Sequence, residues 1–245
     1  MQTTNGTGNN EMNLNKSRVI KAIIFDMDNT LFDFVKAKLL ACEAVVSYVN
    51  LNDDMKLLDY FIKDEIDVER FESIARYLKD RNIYTEETFE TCCKIYLEVK
   101  LGNIEPYPGV VETLKEIKKL NLKCALVTDA FTENARARLV KTGLLQFFDL
   151  LVTADLVGTK KPEPDSLKYA LTELGCTVDE VISVGDSLRR DITPSNELGL
   201  VTVYAAYGDR NFYEESKGSP DYTINNIQEL IPIIKSYLGQ EISRT

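Results

Sequence analysis

Short apolar runs rich in β-branched residues alternate with stretches of helical spacing along most of this chain. Val19-Ile20-Lys21-Ala22-Ile23-Ile24-Phe25 reads as a buried strand, and it stops at Asp26-Met27-Asp28-Asn29-Thr30. Comparable runs follow at Leu122 to Val127, Leu150 to Val152, Val181 to Val184 and Leu200 to Tyr204. Between them, Val110, Leu114, Ile117 and Leu120 form one helical stripe. Leu167, Ala170, Leu171 and Leu174 form another, closed by Gly175 as a stop. Strand alternating with helix predicts an α/β fold, a Rossmann-like parallel sheet with helices on both faces.

The stretch from about Asp33 to Glu105 breaks this rhythm. Leu39, Cys42, Val46 and Val49 repeat at helical spacing, as do Phe71, Ile74 and Leu78, then Phe89, Cys92, Tyr96 and Val99. No convincing strand pattern lies among them, so this block of three to four helices reads as an insertion into the α/β domain. Pro106-Tyr107-Pro108-Gly109 marks its far boundary. The expected organisation is a core of residues 17–32 and 106–245, an all-helical cap at 33–105, and a disordered Asn-, Thr- and Gly-rich tail at 1–16.

Composition narrows the chemistry. The chain of 245 residues contains no histidine, which removes Ser-His-Asp and Cys-His catalysis and His-zinc sites. Acid–base work near neutral pH must come from carboxylate, lysine, cysteine, tyrosine or a metal. A net charge of −10 argues against nucleic acid or anionic membranes as partners. The 5 cysteines, with no CxxC spacing, fit neither a disulfide framework nor a zinc site. Reduced thiols, no long apolar span and no apolar signal-peptide core together predict a cytoplasmic protein. Adjacent Cys92 and Cys93 read as helix packing.

The acids at strand ends carry the functional signal. Asp26 and Asp28 end the first strand, and residues two apart in an extended segment point the same way. Open α/β sheets place ligands at the carboxyl ends of their strands. Two readings stay open from this pair alone: a solvated strand-to-loop turn, or a magnesium site in which one carboxylate is also a nucleophile. Other strand ends add Thr128-Asp129 and Gly185-Asp186-Ser187, with Asp191 five residues past Asp186. Gly158-Thr159-Lys160-Lys161-Pro162-Glu163-Pro164 precedes a helix.

In that chain order, these residues resemble the haloacid dehalogenase-like hydrolase superfamily, in its phosphatase branch with a small helical cap. Asp26-Met27-Asp28-Asn29-Thr30 is similar to its first motif, DxDxT, and Thr128 to the hydroxyl of the second. Lys161, directly before Pro162, is similar to the lysine of the third; Lys160 beside it is the alternative. Gly185-Asp186-Ser187 with Asp191 is similar to the fourth.

The resemblance implies magnesium-dependent hydrolysis of a small phosphorylated metabolite. Asp26 would be the nucleophile, forming an aspartyl-phosphate, and Asp28 the general acid and base. Asp26, the Asp28 backbone carbonyl and Asp186 would hold Mg2+. Thr128 and Lys161 would contact the phosphoryl oxygens, with Asp191 supporting Lys161 or a metal-bound water. Asn29, Thr30, Phe32 and Asp129 are expected to border the substrate, Asp129 through its backbone N–H while its side chain caps the helix beginning near Thr132. Phe32 and Phe34 either line the substrate entrance or pack the cap hinge. Arg189-Arg190 is read as a solvated helix start. Alternatives on the same scaffold are a 2-haloacid dehalogenase, a phosphomutase and a non-catalytic binding protein.

Overall fold

The computed structural model describes residues 18–50, 57–63, 71–210 and 218–238, so the expected tail at 1–16 lies outside the described residues. Strand β1 (Ala22–Phe25) leads into four helices: α1 (Phe34–Tyr48), α2 (Leu57–Lys63), α3 (Glu72–Asp80) and α4 (Glu86–Gly102). Alternation then begins with α5 (Val110–Lys119), β2 (Lys123–Val127), α6 (Thr132–Lys141) and β3 (Leu150–Val152). It continues through α7 (Ala154–Val157), α8 (Asp165–Leu174), β4 (Val181–Gly185), α9 (Thr193–Leu198) and β5 (Val201–Ala205). Strand β6 (Tyr222–Ile224) and helix α10 (Leu230–Leu238) complete it.

All strand pairings are parallel, in the order β3-β2-β1-β4-β5-β6. Strand β1 is therefore central, and connections leave it toward both edges. The carboxyl ends of β1 and β4 meet at this switch point, where an α/β sheet opens its ligand crevice. The α/β parallel-sheet expectation holds. Strand β6 was not anticipated: its three residues, half exposed at the sheet edge, carry too little apolar signal.

The apolar residues of β1 divide by the two-residue period of a strand. Ile23 and Phe25 join a core beneath α5, α6 and α10, whereas Ala22 and Ile24 join a second core with Leu167, Ala170 and Leu174 of α8. Helices α1 to α4 bury a separate cluster that includes Cys42, Ile74, Leu78, Cys92 and Tyr96. In α1 the buried stripe is Phe34, Ala37, Ala41, Cys42 and Val45, so Leu39 faces outward, contrary to the sequence stripe. Small Ala37 and Ala41 escaped a pattern drawn from large residues; Ala41 joins the cluster of the four helices and Ala37 the core beneath the sheet. Asp33 and Thr85 start α1 and α4 by accepting from Lys36 N–H at 2.9 Å and Thr88 N–H at 3.0 Å.

The two chain crossings that lead into and out of α1–α4 lie side by side. Phe32 bridges antiparallel to Pro106, and Tyr107 N–H donates to the Leu31 carbonyl at 2.9 Å.

Candidate active site

The loop after β1 is wound tightly. Asn29 takes φ 65°, a left-handed conformation that asparagine tolerates better than most side chains. Its N–H donates to the Phe32 carbonyl at 2.9 Å, and Leu31 N–H donates to Met27 at 3.0 Å. The Asn29 side-chain oxygen accepts from Phe34 and Val35 N–H, both at 3.1 Å. Asn29 thus fastens the loop to the start of α1. Gly208 presses on the loop from outside, where a Cβ would collide with the Asn29 carbonyl. The Tyr207 hydroxyl donates to the Thr30 carbonyl at 2.7 Å.

Asp26 continues β1 by donating its N–H to the Val184 carbonyl at 2.9 Å, which fixes it beside the end of β4. Its Oδ1 accepts from Lys161 Nζ. Lys161 Nζ also donates to Asp191 Oδ1 at 2.6 Å, and Asp191 Oδ2 accepts from Ser187 N–H at 3.0 Å. Of the two candidate lysines, only Lys161 enters this cluster; Lys160 Nζ lies over the Phe131 ring, 5.8 Å from its centroid. Burial alone would lower the Lys161 ammonium. The carboxylates of Asp191 and Asp26 outweigh it and hold Lys161 above the ordinary lysine value.

Asp186 directly follows β4 and is almost fully buried. Its Oδ1 accepts from the Thr30 hydroxyl at 3.2 Å, while its Oδ2 is buried without a hydrogen-bond partner among the described residues. Burial, then the charges of Asp26 and Asp191, push its carboxyl well above the usual range. Ligand oxygens of Asp26, Asp186 and Asp191 lie within 4.8 Å of one another. An orphaned carboxylate oxygen among crowded acids fits a hard cation with oxygen ligands. Asp191 already gives both oxygens to Lys161 and Ser187, which leaves Asp26 and Asp186 as the side chains best placed to hold it.

Thr128 follows β2 nearly buried. Its Oγ1 accepts from Ala130 N–H at 3.2 Å, so its own proton can be donated. Asp129 does not cap α6. Its Oδ1 accepts from Lys161 N–H at 2.8 Å, shaping the lysine loop, and Thr132 N–H is instead taken by Asp155 Oδ1 at 2.9 Å. Thr30 is fully buried and holds Asp186. Phe32 is fully buried in the core and cannot line an entrance; it packs the hinge.

Two arginines stand where the sequence did not put them. Arg190 Nη1 is 3.6 Å from Asp129 Oδ2, and it is half buried, not a solvated helix start. The π-helical turn Leu188–Ile192 directs it inward. Burial opposes its charge, but Asp191, Asp26, Asp186 and Asp129 raise it further above the ordinary arginine value. Arg138, on α6, donates through Nη1 to Asp28 Oδ2 at 2.6 Å. The one sequence trace of Arg138 is a cation inside the buried stripe Ala135, Arg138, Leu139.

The family model for haloacid dehalogenase-like hydrolases matches residues 23–205. The chain belongs to that family. Across 227 residues it is 34% identical to the glyceraldehyde 3-phosphate phosphatase of Methanocaldococcus jannaschii, covering 89% of this chain and 98% of that one. It is 28% identical to the phosphoglycolate phosphatase of Aquifex aeolicus over 222 residues, 89% of this chain and 99% of that one. Among solved structures, the HAD hydrolase YfnB of Bacillus subtilis, bound to magnesium, superposes with a TM-score of 0.70 at 22% identity. That match covers 89% of this chain and 99% of YfnB, and at such identity it shows the fold.

Proposed function

We propose that this chain hydrolyses small phosphate monoesters with Mg2+ through a phosphate ester of Asp26. The observation that carries the reading is the orphaned, buried Asp186 Oδ2 beside Asp26, itself fastened to Lys161. Full-length relatives named as phosphatases for small metabolites support the same reading.

The Asp26 carboxylate attacks phosphorus; an Asp26 oxygen–phosphorus bond forms as the ester oxygen–phosphorus bond breaks. Asp28 gives its proton to the leaving alkoxide. Asp28 then takes a proton from water, whose oxygen attacks phosphorus and releases the Asp26 carboxylate and inorganic phosphate. Thr128 Oγ1 and Lys161 Nζ hold phosphoryl oxygens, and Asp191 keeps Lys161 in place. Asp26, Asp186 and the Asp28 carbonyl would hold the magnesium, which when bound offsets the repulsion between carboxylate and phosphate.

Helices α1–α4 serve as a cap over the strand ends at 33–105. The adjacent crossings at Phe32 and Pro106 give them a narrow hinge. A closed cap excludes bulk water and brings Phe34 of α1 beside the acids. Within this reading the enzyme works in the cytoplasm.

The test is turnover of p-nitrophenyl phosphate with magnesium and with excess chelator. Activity confined to the magnesium arm is expected. Full activity in chelator would contradict the magnesium requirement, and no turnover in either arm would contradict the phosphatase reading.

A further inference from the structure

We propose that Arg138 is the positioning residue of Asp28, its guanidinium clamped between that carboxylate and the Phe34 ring. This rests on the reading of Asp28 as the general acid and base. Arg138 Nη1 donates to Asp28 Oδ2 at 2.6 Å, and its Cζ lies 4.0 Å from the Phe34 ring centroid. The pair is asymmetric: the Arg138 side chain is 3% exposed and that of Asp28 24%. The guanidinium takes Oδ2, and Asp28 Oδ1 is itself buried, so the pair is packed away from solvent. Taking an arginine out of water is costly unless its charge is matched and its plane is stacked, and Asp28 and Phe34 supply these two things.

Phe34 is not free to wander. Its N–H is held by Asn29 Oδ1 at 3.1 Å, one residue past Asp28 in the same loop. Carboxylate, guanidinium and ring thus share one scaffold, and the ring opens the first helix of the insert. Arg138 comes from the other side of the cleft, on α6. A donor stacked on the Phe34 ring holds Asp28 Oδ2 at one place, which a freely rotating side chain would not keep for proton transfer. A displacement of α1 would loosen that hold.

The experiment compares Arg138→Met with wild type on p-nitrophenyl phosphate and on an alkyl phosphate, whose leaving group needs a proton far more. Arg138→Met should lose about tenfold more kcat on the alkyl ester than on the aryl ester, with KM within about threefold. In an Asp28→Asn background the same substitution should change the nitrophenolate burst by less than about twofold, because the group it positions is already gone. Arg138→Lys should recover part of the leaving-group selectivity. If circular dichroism shows Arg138→Met unfolded, Arg138→Lys and Arg138→Gln carry the same comparison. A raised KM at unchanged kcat would overturn the proposal and make Arg138 a substrate-binding residue. Full additivity with Asp28→Asn would overturn it in favour of general support of the fold. Intact alkyl phosphate turnover in Asp28→Asn alone would instead overturn the role of Asp28, and the proposal with it.

Discussion

Gly185 is bare because Asp191 occupies the space a side chain would need. A Cβ built on Gly185 would collide with Cβ and Cγ of Asp191. The last residue of β4 and the π-helical turn after it are thereby pressed together, and Asp191 reaches Lys161 Nζ at 2.6 Å from that position. The lysine at the nucleophile depends on a missing methyl group two elements away.

Gly185→Ala should accordingly displace Asp191 and loosen Lys161. We expect kcat/KM to fall by about a hundredfold, the scale of a 1 Å misplacement in an active site. Overpacking should also cost about 1–3 kcal/mol of stability, read as a lower urea midpoint. An alanine variant with wild-type kcat/KM would show that Asp191 does not need this contact.

Thr30 was expected at the substrate and instead donates to Asp186 Oδ1 at 3.2 Å. Thr30→Val keeps the shape and removes the donor. The magnesium concentration for half-maximal activity should rise about tenfold, as when a partner behind a metal ligand is lost. A rise in substrate KM at constant magnesium affinity would return Thr30 to the substrate side.

Burial pushes the thiols of Cys42, Cys93 and Cys124 from the ordinary 9.0 up to about 12. Their protonated form is favoured in the folded state. That contribution to stability is complete below pH 9.0 and is lost as the pH rises toward about 12. At neutral pH these thiols should react with a disulfide reagent only as fast as the protein opens, so labelling should accelerate in urea. Labelling of all three within seconds in native buffer would contradict their burial.

The proposed cap limits the substrate. A three-to-six-carbon phosphate ester should exceed a phosphopeptide and a phosphorylated oligonucleotide in kcat/KM by about a hundredfold. The net charge of −10 offers polyanions no attraction. Preference for a macromolecular ester would mean that α1–α4 do not close over the site.

The parallel sheet was legible because buried strands write continuous apolar runs, as Ile23–Phe25 and Val181–Val184 do. Asp26 and Asp186 were legible because each stands where such a run stops. What the sequence hid is contact between distant residues. Arg138 meets Asp28 across 110 positions, and no local pattern marks that pair. Asn29, Thr30 and Phe32 lie in the motif yet face inward, because a loop this tight must satisfy its own backbone before it can present side chains. Asp129 was assigned to the nearest helix start, where Asp155 from the next crossover reaches Thr132 instead.

The central claim is covalent: phosphate passes through Asp26. The most direct measurement uses Asp28→Asn, in which hydrolysis of the intermediate should stall, with radiolabelled phosphate ester and magnesium, quenched in acid. About one label per chain, released by hydroxylamine, mapped to Asp26 and absent in the Asp26→Asn, Asp28→Asn double variant, is the predicted result. Turnover by wild type with no label on Asp26 in either protein would contradict the account.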